Sequence, residues 1–501
     1  MDRRTLLQTM LIGGAAAVLS PLSLARTADW QRSYLAAREA KPWLLGWRTV
    51  EQDRLRTDSL SISGQWPKSL RGVLYRNMPA RHDRGGQRYR HWFDGDGMMQ
   101  AFRIEEGRVS HLGRFVETPK YVAERDAGHL LYPAFGTRLP EMSPISSPDQ
   151  INVANTSVIK HGDDLLALWE GGSAWALDPD TLESRGPVAW REDLAGMPFS
   201  AHPRRDSDGS LWNFGTAGDR LLVLYHIDAD GALRKAEALP VQDLPFVHDF
   251  AITERHIVFL LPPLPLSVER MAGGASVLDS YDWHPERPMR VLTVAKDDWS
   301  QQRWYEVPAG FYFHIGNAWE ERNGTIHLDY LRFNDATVMT NSFRDVMRGE
   351  HSWREHARAT RLTLHPAQGK AKQTTLPGKS EFPTIDPRHS GRRQRYLVVA
   401  DARGDLNRPG FNALRRIDLD RETEQVYRFG DEIMVEEHVV IPKSPGAEDG
   451  DAWLLGTVLD TTARVTRLTL FDAGKLADGP VAQASLPYSL PLGFHGHFVR
   501  V

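Results

Sequence analysis

The 501-residue sequence predicts an all-β protein closed into a β-propeller, and three observations carry that reading. From about Leu60 to the C-terminus, runs of four to eight residues rich in Val, Ile, Leu, Phe, Tyr and Trp alternate with turns containing Gly or Asp. Long amphipathic helical stretches are scarce. No Pro/Gly-rich linker divides the more than 400 residues of hairpins. So many strands in one body must hide their edges, and a closed ring of blades does so. The repeat is too irregular for a WD or kelch array, so periodicity alone does not give the number of blades.

The N-terminus reads as an address. Arg3-Arg4 precedes Leu6-Leu7, an apolar stretch from Met10 to Leu22 follows, and Ser23-Leu24-Ala25 places small residues where a signal peptidase cuts. That stretch is shorter than the ~20 residues needed to span a bilayer. Residues 1–25 are therefore expected to be a signal peptide, and the Arg pair resembles the twin-arginine type, which exports folded proteins to the periplasm. Residues 26–501 form the single propeller domain. Within it Trp30 to Arg48 is expected to be helical, and Val338 to Arg348 is a short helix candidate. Leu165 to Trp169, Ala174 to Leu177 with the turn Asp178-Pro179-Asp180, Leu211 to Gly215, and Leu221 to Ile227 with Asp228 to Gly231 read as strands and turns. His91-Trp92-Phe93-Asp94-Gly95-Asp96-Gly97 lacks the spaced oxygen ligands and terminal Glu of an EF-hand, and reads as a tight hairpin turn.

Composition removes several classes of function. Hydrophobic residues make up 41% and charged residues 25%, as in folded globular proteins. The formal charge is −4 with no basic tail, so nucleic acid is not an expected partner. Arg388, Arg392, Arg393 and Arg395 cluster in one stretch, which reads as a solvated face. There is no cysteine, which excludes disulfides, thiolate nucleophiles and Cys-ligated metals. Any metal must be held by His and carboxylate, and there are 19 histidines.

Four histidines sit in apolar or aromatic surroundings: His202 in Ser200-Ala201-His202-Pro203, His248 in Phe246-Val247-His248-Asp249-Phe250, His314 in Phe311-Tyr312-Phe313-His314, and His495 in Gly493-Phe494-His495-Gly496. One such histidine is more often a hydrogen-bonded core residue than a ligand. Their number, their spread along the chain and the lack of cysteine raise the joint case, because a propeller brings the inner ends of distant blades to one axis.

These segments resemble, in order, the carotenoid cleavage oxygenase family, which includes bacterial apocarotenoid and stilbene oxygenases. Arg76-Asn77-Met78-Pro79 and His91 to Met98 are similar to its N-terminal signature. Ala154 to Ser157, Leu168-Trp169-Glu170-Gly171-Gly172 and Leu177 to Leu182 are similar to its next block, and the four histidine segments match its metal-bearing ones. The resemblance runs from about Leu60 to the last residue. It implies a seven-bladed propeller, with loops and short helices capping one Fe(2+) per chain on the axis, held by His202, His248, His314 and His495. It also implies that Glu170, Glu381 and Glu437 orient the histidines. Four nitrogen donors suit iron and leave positions open for O2, and a carboxylate on the far N–H of each imidazole fixes its tautomer. His497 is not a ligand in that pattern.

The activity implied is O2-dependent cleavage of a conjugated C=C bond to two carbonyl products. Trp169 and Phe313, next to Glu170 and His314, are candidates for lining the substrate cavity. Leu130 to Phe135 and Leu260 to Leu266 are candidate apolar surfaces for peripheral membrane contact, where a lipid-soluble polyene would be collected. Ala134 stands where stilbene-cleaving relatives carry a lysine, which favours a carotenoid or apocarotenoid substrate. Stilbene or phenylpropanoid cleavage at the same site, isomerisation without cleavage, and a non-catalytic ligand-binding propeller are the alternatives.

Overall fold

The computed structural model describes residues 22–501. The signal peptide expected over residues 1–25 lies outside the described residues up to position 21, and a helix, Leu22–Arg38, starts within its last four. Seven antiparallel sheets of four or five strands follow one another along the chain, as blades I to VII. Blades II to VI have four strands each and begin at Ser157–His161, Arg204–Arg205, Ala251–Ile252, Phe311–Glu320 and Ser380–Thr384. Each first strand lies at one edge of its sheet, on the propeller axis.

The two chain ends close the ring. Blade I consists of Gly72–Arg81, Asp96–Glu105, Arg108–Phe115 and Arg54–Thr57, and its inner edge is the C-terminal strand Gly496–Arg500, paired Gly72↔Arg500 to Arg76↔Gly496. Blade VII starts at Ile433–Pro442 and takes Ser61–Gly64 as its outer edge, paired Ser61↔Ser485 to Gly64↔Ala482. Opening the ring therefore means breaking two ladders in different blades. Stacked blades cover both faces of the inner strands, so Phe311–Glu320 of blade V is buried at every residue but its last, whereas the outer strand Gln302–Val307 is largely exposed. Separate apolar cores fill successive gaps between blades: Phe214, Phe250, Phe259 and Trp299 between III and IV, and Ile315, Leu328 and Leu362 with Val258 and Val291 between IV and V.

Over one end of the axis lies a cap, held by a core that includes Tyr34, Trp43, Trp47, Trp92, Leu278 and Phe343. The expected helix at 30–48 is instead the helix Leu22–Arg38 followed by a 3-10 turn, Pro42–Trp47, since Pro42 starts a new turn. The 338–348 candidate is one irregular coil made of a π-type turn, an α-turn and a 3-10 turn. A further helix, Pro119–Ala127, carries signals visible in its sequence: Thr118 accepts from the Tyr121 N–H, Pro119 occupies the first turn and Gly128 ends it at φ +72°.

The 91–97 segment is not a hairpin turn. Trp92–Asp94 is a 3-10 turn and Asp96 opens a strand. Asp94 is used up in accepting from the Gly136 N–H (2.9 Å) and the Thr137 hydroxyl (2.6 Å). Gly97 cannot carry a side chain, because a Cβ there would lie 2.2 Å from the Ala154 oxygen. Asp96 anchors a fully buried ion network. It accepts from Lys120 (2.7 Å) and Arg84 (2.8 Å), while Lys120 also contacts Tyr89 and Glu124 (3.3 Å). The two apolar stretches expected at the surface are turned inward: Leu260 to Leu264 are core residues, and Leu130 to Phe135 are buried or half-buried, with Phe135 packed on His91, Phe93 and Phe246. The reason is that Leu260 and Leu261 end a strand of blade IV and fill the cores on its two faces, while Leu264, Leu130 and Ala134 join the core beneath the cap. The arginine cluster is a solvated, paired face: Arg388 bonds Asp386, Arg393 bonds Asp420 and Arg395 bonds Asp418.

Removing one member of a buried charge network leaves its partners desolvated and unpaired. Lys120→Met is expected to lower unfolding stability by about 3–5 kcal/mol, read from urea or guanidinium titration. A change under about 1 kcal/mol, the worth of an exposed pair, would contradict the buried network.

Candidate metal centre

Ring nitrogens of His202, His248, His314 and His495 all lie within 4.8 Å of one another. His202 and His248 face each other with Nε2 atoms 3.0 Å apart, and His248 and His314 with theirs 3.3 Å apart. Lone pairs so close repel unless a cation or a proton lies between them. The histidines come from four blades: His202 and His248 just before the inner strands of III and IV, His314 within that of V, and His495 just before the C-terminal strand of blade I.

Each sequence-expected carboxylate is in place. Glu170 meets His248 Nδ1, Glu381 meets His314 Nδ1, and Glu437 accepts from His495 Nδ1 at 2.9 Å and from the Gly496 N–H at 2.7 Å. With Nδ1 so engaged, Nε2 is left to present its lone pair to the axis. Three of these residues sit where the inner strand departs from regular pairing. Register shifts fall between Tyr312 and Ile315, between Glu381 and Thr384, and between Val435 and His438. Such bulges re-aim a side chain that regular alternation would send elsewhere. The bulge in blade VII lets Glu436 and Glu437, adjacent in sequence, both turn into the interior. At Glu381 the distortion extends to Phe382, a bulky residue at φ +55°, whose N–H bonds Glu381 (2.5 Å) and whose ring stacks on His314.

Residues absent from the sequence reading hold this arrangement together. Asp249, one residue after His248, accepts from Arg204, two after His202 (2.6 and 2.7 Å), and from the N–H of Ile315, one after His314 (2.7 Å). One carboxylate thus ties three ligand segments. Arg76 and Glu436 do the same for the fourth: Arg76 donates to the Glu436 carboxylate (3.2 Å) and to the Glu437 backbone carbonyl (2.9 Å), and Glu436 accepts from the Gly493 N–H (2.6 Å). The signals were in plain sight, an Asp beside a histidine and two adjacent glutamates, but their partners lie as much as 360 residues away.

The electrostatics suit a cation. Burial pushes His202 and His314 well below the ordinary histidine value, and the neighbouring imidazoles push the same way, so both are neutral donors. Burial opposes charge on His248 too, but the Glu170 carboxylate outweighs it and raises that histidine. Burial drives Glu381 up to about 8. It acts likewise on Glu437, where His495, Arg76 and the Gly496 N–H more than offset it and lower the carboxyl. A set of four imidazole donors without thiolates or direct carboxylates fits a first-row divalent metal such as iron. A second group of possible donors, Asp386, His389 and Asp449, is already committed, since the Arg388 guanidinium bonds Asp386 and the Arg395 N–H bonds Asp449.

Against the histidines opens a narrow cavity. His248, His314 and His495 line it together with Thr156, Glu170, Glu381 and Glu436, and most of the rest is aromatic. Phe313 is part of the lining, as expected from sequence. Trp169 is not: it bridges to Phe199 and its ring lies over Gly171 and Gly172. His497 stays outside the cluster, paired with Tyr75 in the closing strand.

Comparison with known proteins agrees with this geometry. A family model described as retinal pigment epithelial membrane protein matches residues 48–500. The chain is 30% identical over 499 residues to the apocarotenoid-15,15'-oxygenase of Synechocystis, covering 94% of this chain and 98% of that protein. It is also 30% identical over 479 residues to the isoeugenol monooxygenase of Pseudomonas nitroreducens, covering 91% and 98%. Among solved structures, a cobalt-substituted apocarotenoid oxygenase from Synechocystis superimposes with a TM-score of 0.84 at 28% identity, over 92% of this chain and 98% of that one.

Loss of a carboxylate that orients a ligand typically costs ten- to a hundredfold in metal affinity. Glu437→Gln, which keeps the shape but weakens the His495 anchor, is expected to reduce Fe(II) affinity by about that factor in a competition titration against a chelator. Unchanged affinity would remove Glu437 from the site.

Proposed function

The chain belongs to the carotenoid cleavage oxygenase family typified by the retinal pigment epithelial membrane protein, and on that premise we propose that it is an iron enzyme cleaving a conjugated C=C bond in an apocarotenoid. Relatives named as an apocarotenoid-15,15'-oxygenase and a carotenoid 9,10-cleavage dioxygenase support oxidative cleavage of a double bond. The observation that carries the finer reading is the convergence of four imidazoles, three of them anchored by carboxylates, beneath an aromatic cavity. Fe(II) held there would supply the activation of O2. The protein's own work is geometric. Glu170, Glu381 and Glu437 hold the Nδ1 sides of His248, His314 and His495, so that their Nε2 atoms face the axis. Asp249 and Arg204 keep neighbouring blades in step. Phe313, Phe382 and Phe494 exclude water and offer flat faces to a planar conjugated chain. No nucleophile or acid–base pair is needed for this chemistry.

Support for a polyene over a phenylpropanoid comes from the apolar lining and from Ala134, which offers no cation for a phenolate. A single sample decides between them. The iron-loaded protein is incubated with an apocarotenal, with isoeugenol and with a hydroxystilbene, with and without O2, and products are identified beside metal content. Aldehyde formation from the apocarotenal, about one iron per chain as a four-imidazole site implies, and loss of activity in His248→Ala are expected. Cleavage of the phenolic compounds alone would move the substrate to that class, and metal-free folded protein would favour a binding propeller.

We also propose export to the periplasm through the Arg3-Arg4 signal. Iron lies low in the affinity order of divalent metals, so a four-histidine site that folded outside the cytoplasm would be taken by copper or zinc, and loading before export avoids this. Arg3→Lys with Arg4→Lys should retain the precursor in the cytoplasm on fractionation; continued export would count against it.

A further inference from the structure

We propose that Arg204 is the positioning residue of His202, standing in for the carboxylate that this ligand lacks. The inference rests on the metal reading above and adds a fourth anchor to the three glutamates.

Glu170, Glu381 and Glu437 each meet the Nδ1 side of one histidine, and among the described residues no carboxylate meets His202. Its ring must be placed by other means. His202 lies outside any strand, in a short arch of Ala201, His202 and Pro203. The arch starts at Ser200, whose N–H bonds the Phe214 carbonyl (2.7 Å), and ends at Arg204, paired with Trp212 in the two-residue inner strand of blade III. Within the arch the His202 N–H reaches the Ser200 hydroxyl at 3.2 Å. A ring presented from such an arch is placed no better than the ends that hold it.

Arg204 is the end that is fixed to the other ligands. Its Nε donates to the Phe250 carbonyl (2.9 Å), and its Nη2 to both Asp249 oxygens (2.7 and 2.6 Å) and to the Ile315 carbonyl (2.8 Å). Asp249 and Phe250 directly follow His248, and Ile315 directly follows His314, so one guanidinium is fastened to the segments of two other ligands. Asp249 is buried and saturated, because it also accepts from the Phe250 N–H (2.7 Å) and the Ile315 N–H (2.7 Å). It has no free lone pair with which to follow a displaced guanidinium. A planar fork that meets several acceptors at once can be held in this way, where a lysine ammonium cannot.

The link from Arg204 back to His202 is stiff. Pro203 is the one residue between them; its ring fixes its own φ and keeps the preceding residue extended. Fixing the guanidinium therefore fixes the backbone from which the His202 ring projects. The glutamates grip their histidines by the ring, and Arg204 grips its histidine by the chain. His248 and His314, on the far side of the brace, keep their own glutamates, so loss of the guanidinium falls on His202.

The test is a mutant cycle on metal affinity, with cobalt(II) as the probe and competition against a chelator as the readout. Losing a group that orients a ligand typically costs ten- to a hundredfold in affinity, and Arg204→Met is expected to fall in that range. In protein already carrying His202→Ala, Arg204→Met should add less than about twofold, because the ligand it positions is gone. In protein carrying His495→Ala, a ligand that Arg204 does not brace, it should cost its full factor. X-ray absorption of cobalt-loaded Arg204→Met protein should count one imidazole fewer than the four of the unaltered protein. Arg204→Lys keeps a cation beside Asp249 and is expected to show a smaller loss in the same pattern; it is read in place of the methionine variant if that one does not fold. An undiminished further loss in the His202→Ala protein, or four imidazoles retained, would overturn the proposal, since Arg204 would then serve only the fold. Failure of the unaltered protein to bind cobalt would remove the metal reading and this inference with it.

Discussion

Four imidazole nitrogens held within 4.8 Å of one another are an arrangement that the chain must enforce. Left alone, buried rings would separate, each to find its own partner. They are held because the opposite nitrogen of three of them is tied to a carboxylate on another blade. The carboxylates are tied in turn: Glu381 and Glu437 by backbone N–H groups, with Arg76 and Glu436 bracing the segment behind Glu437. The fold depends on this site less than the site depends on the fold, since each histidine and its carboxylate come from different blades, and His495 and Arg76 meet Glu437 and Glu436 only where the two ends of the ring join.

Ring closure is consequently part of the chemistry. His495 lies at the point where the C-terminal strand enters blade I, and Asn77 of that blade pairs with it through the His495 carbonyl and the Phe494 N–H. The same chain end that seals the propeller thus delivers the fourth ligand. At the other side of the axis the cap supplies the aromatic roof, and the buried Lys120–Asp96–Glu124 network fixes the cap to blade I. Water exclusion and ligand placement are performed by different layers of the molecule, joined at residues such as Phe494 and Trp92, whose rings are 4.9 Å apart.

Local distortion is concentrated where it is useful. The inner strands of blades V, VI and VII all leave regular register at the residues that serve the site. A regular strand sends neighbouring side chains to opposite faces, so Glu436 and Glu437 could not both face inward, nor Glu381 reach His314, without a bulge. The left-handed Phe382 beside Glu381 is the clearest mark of that compromise.

Much of this was legible in the linear text. Hairpin spacing pointed to a closed all-β body, the absence of cysteine left histidine and carboxylate as metal donors, and the resemblance of the ordered motifs to a known family singled out the four histidines and three glutamates, since residue type and short-range pattern carry all three readings. The hairpin read at 91–97, the single helix at 30–48 and the surface role of Leu260 to Leu266 were misread, because each depends on what packs against the segment. Asp249, Arg76 and Glu436 were invisible as site residues for the same reason. Hydrogen bonds between groups hundreds of positions apart leave no trace in local composition; they come into being when blades stack, strands bulge and the last strand completes the first blade.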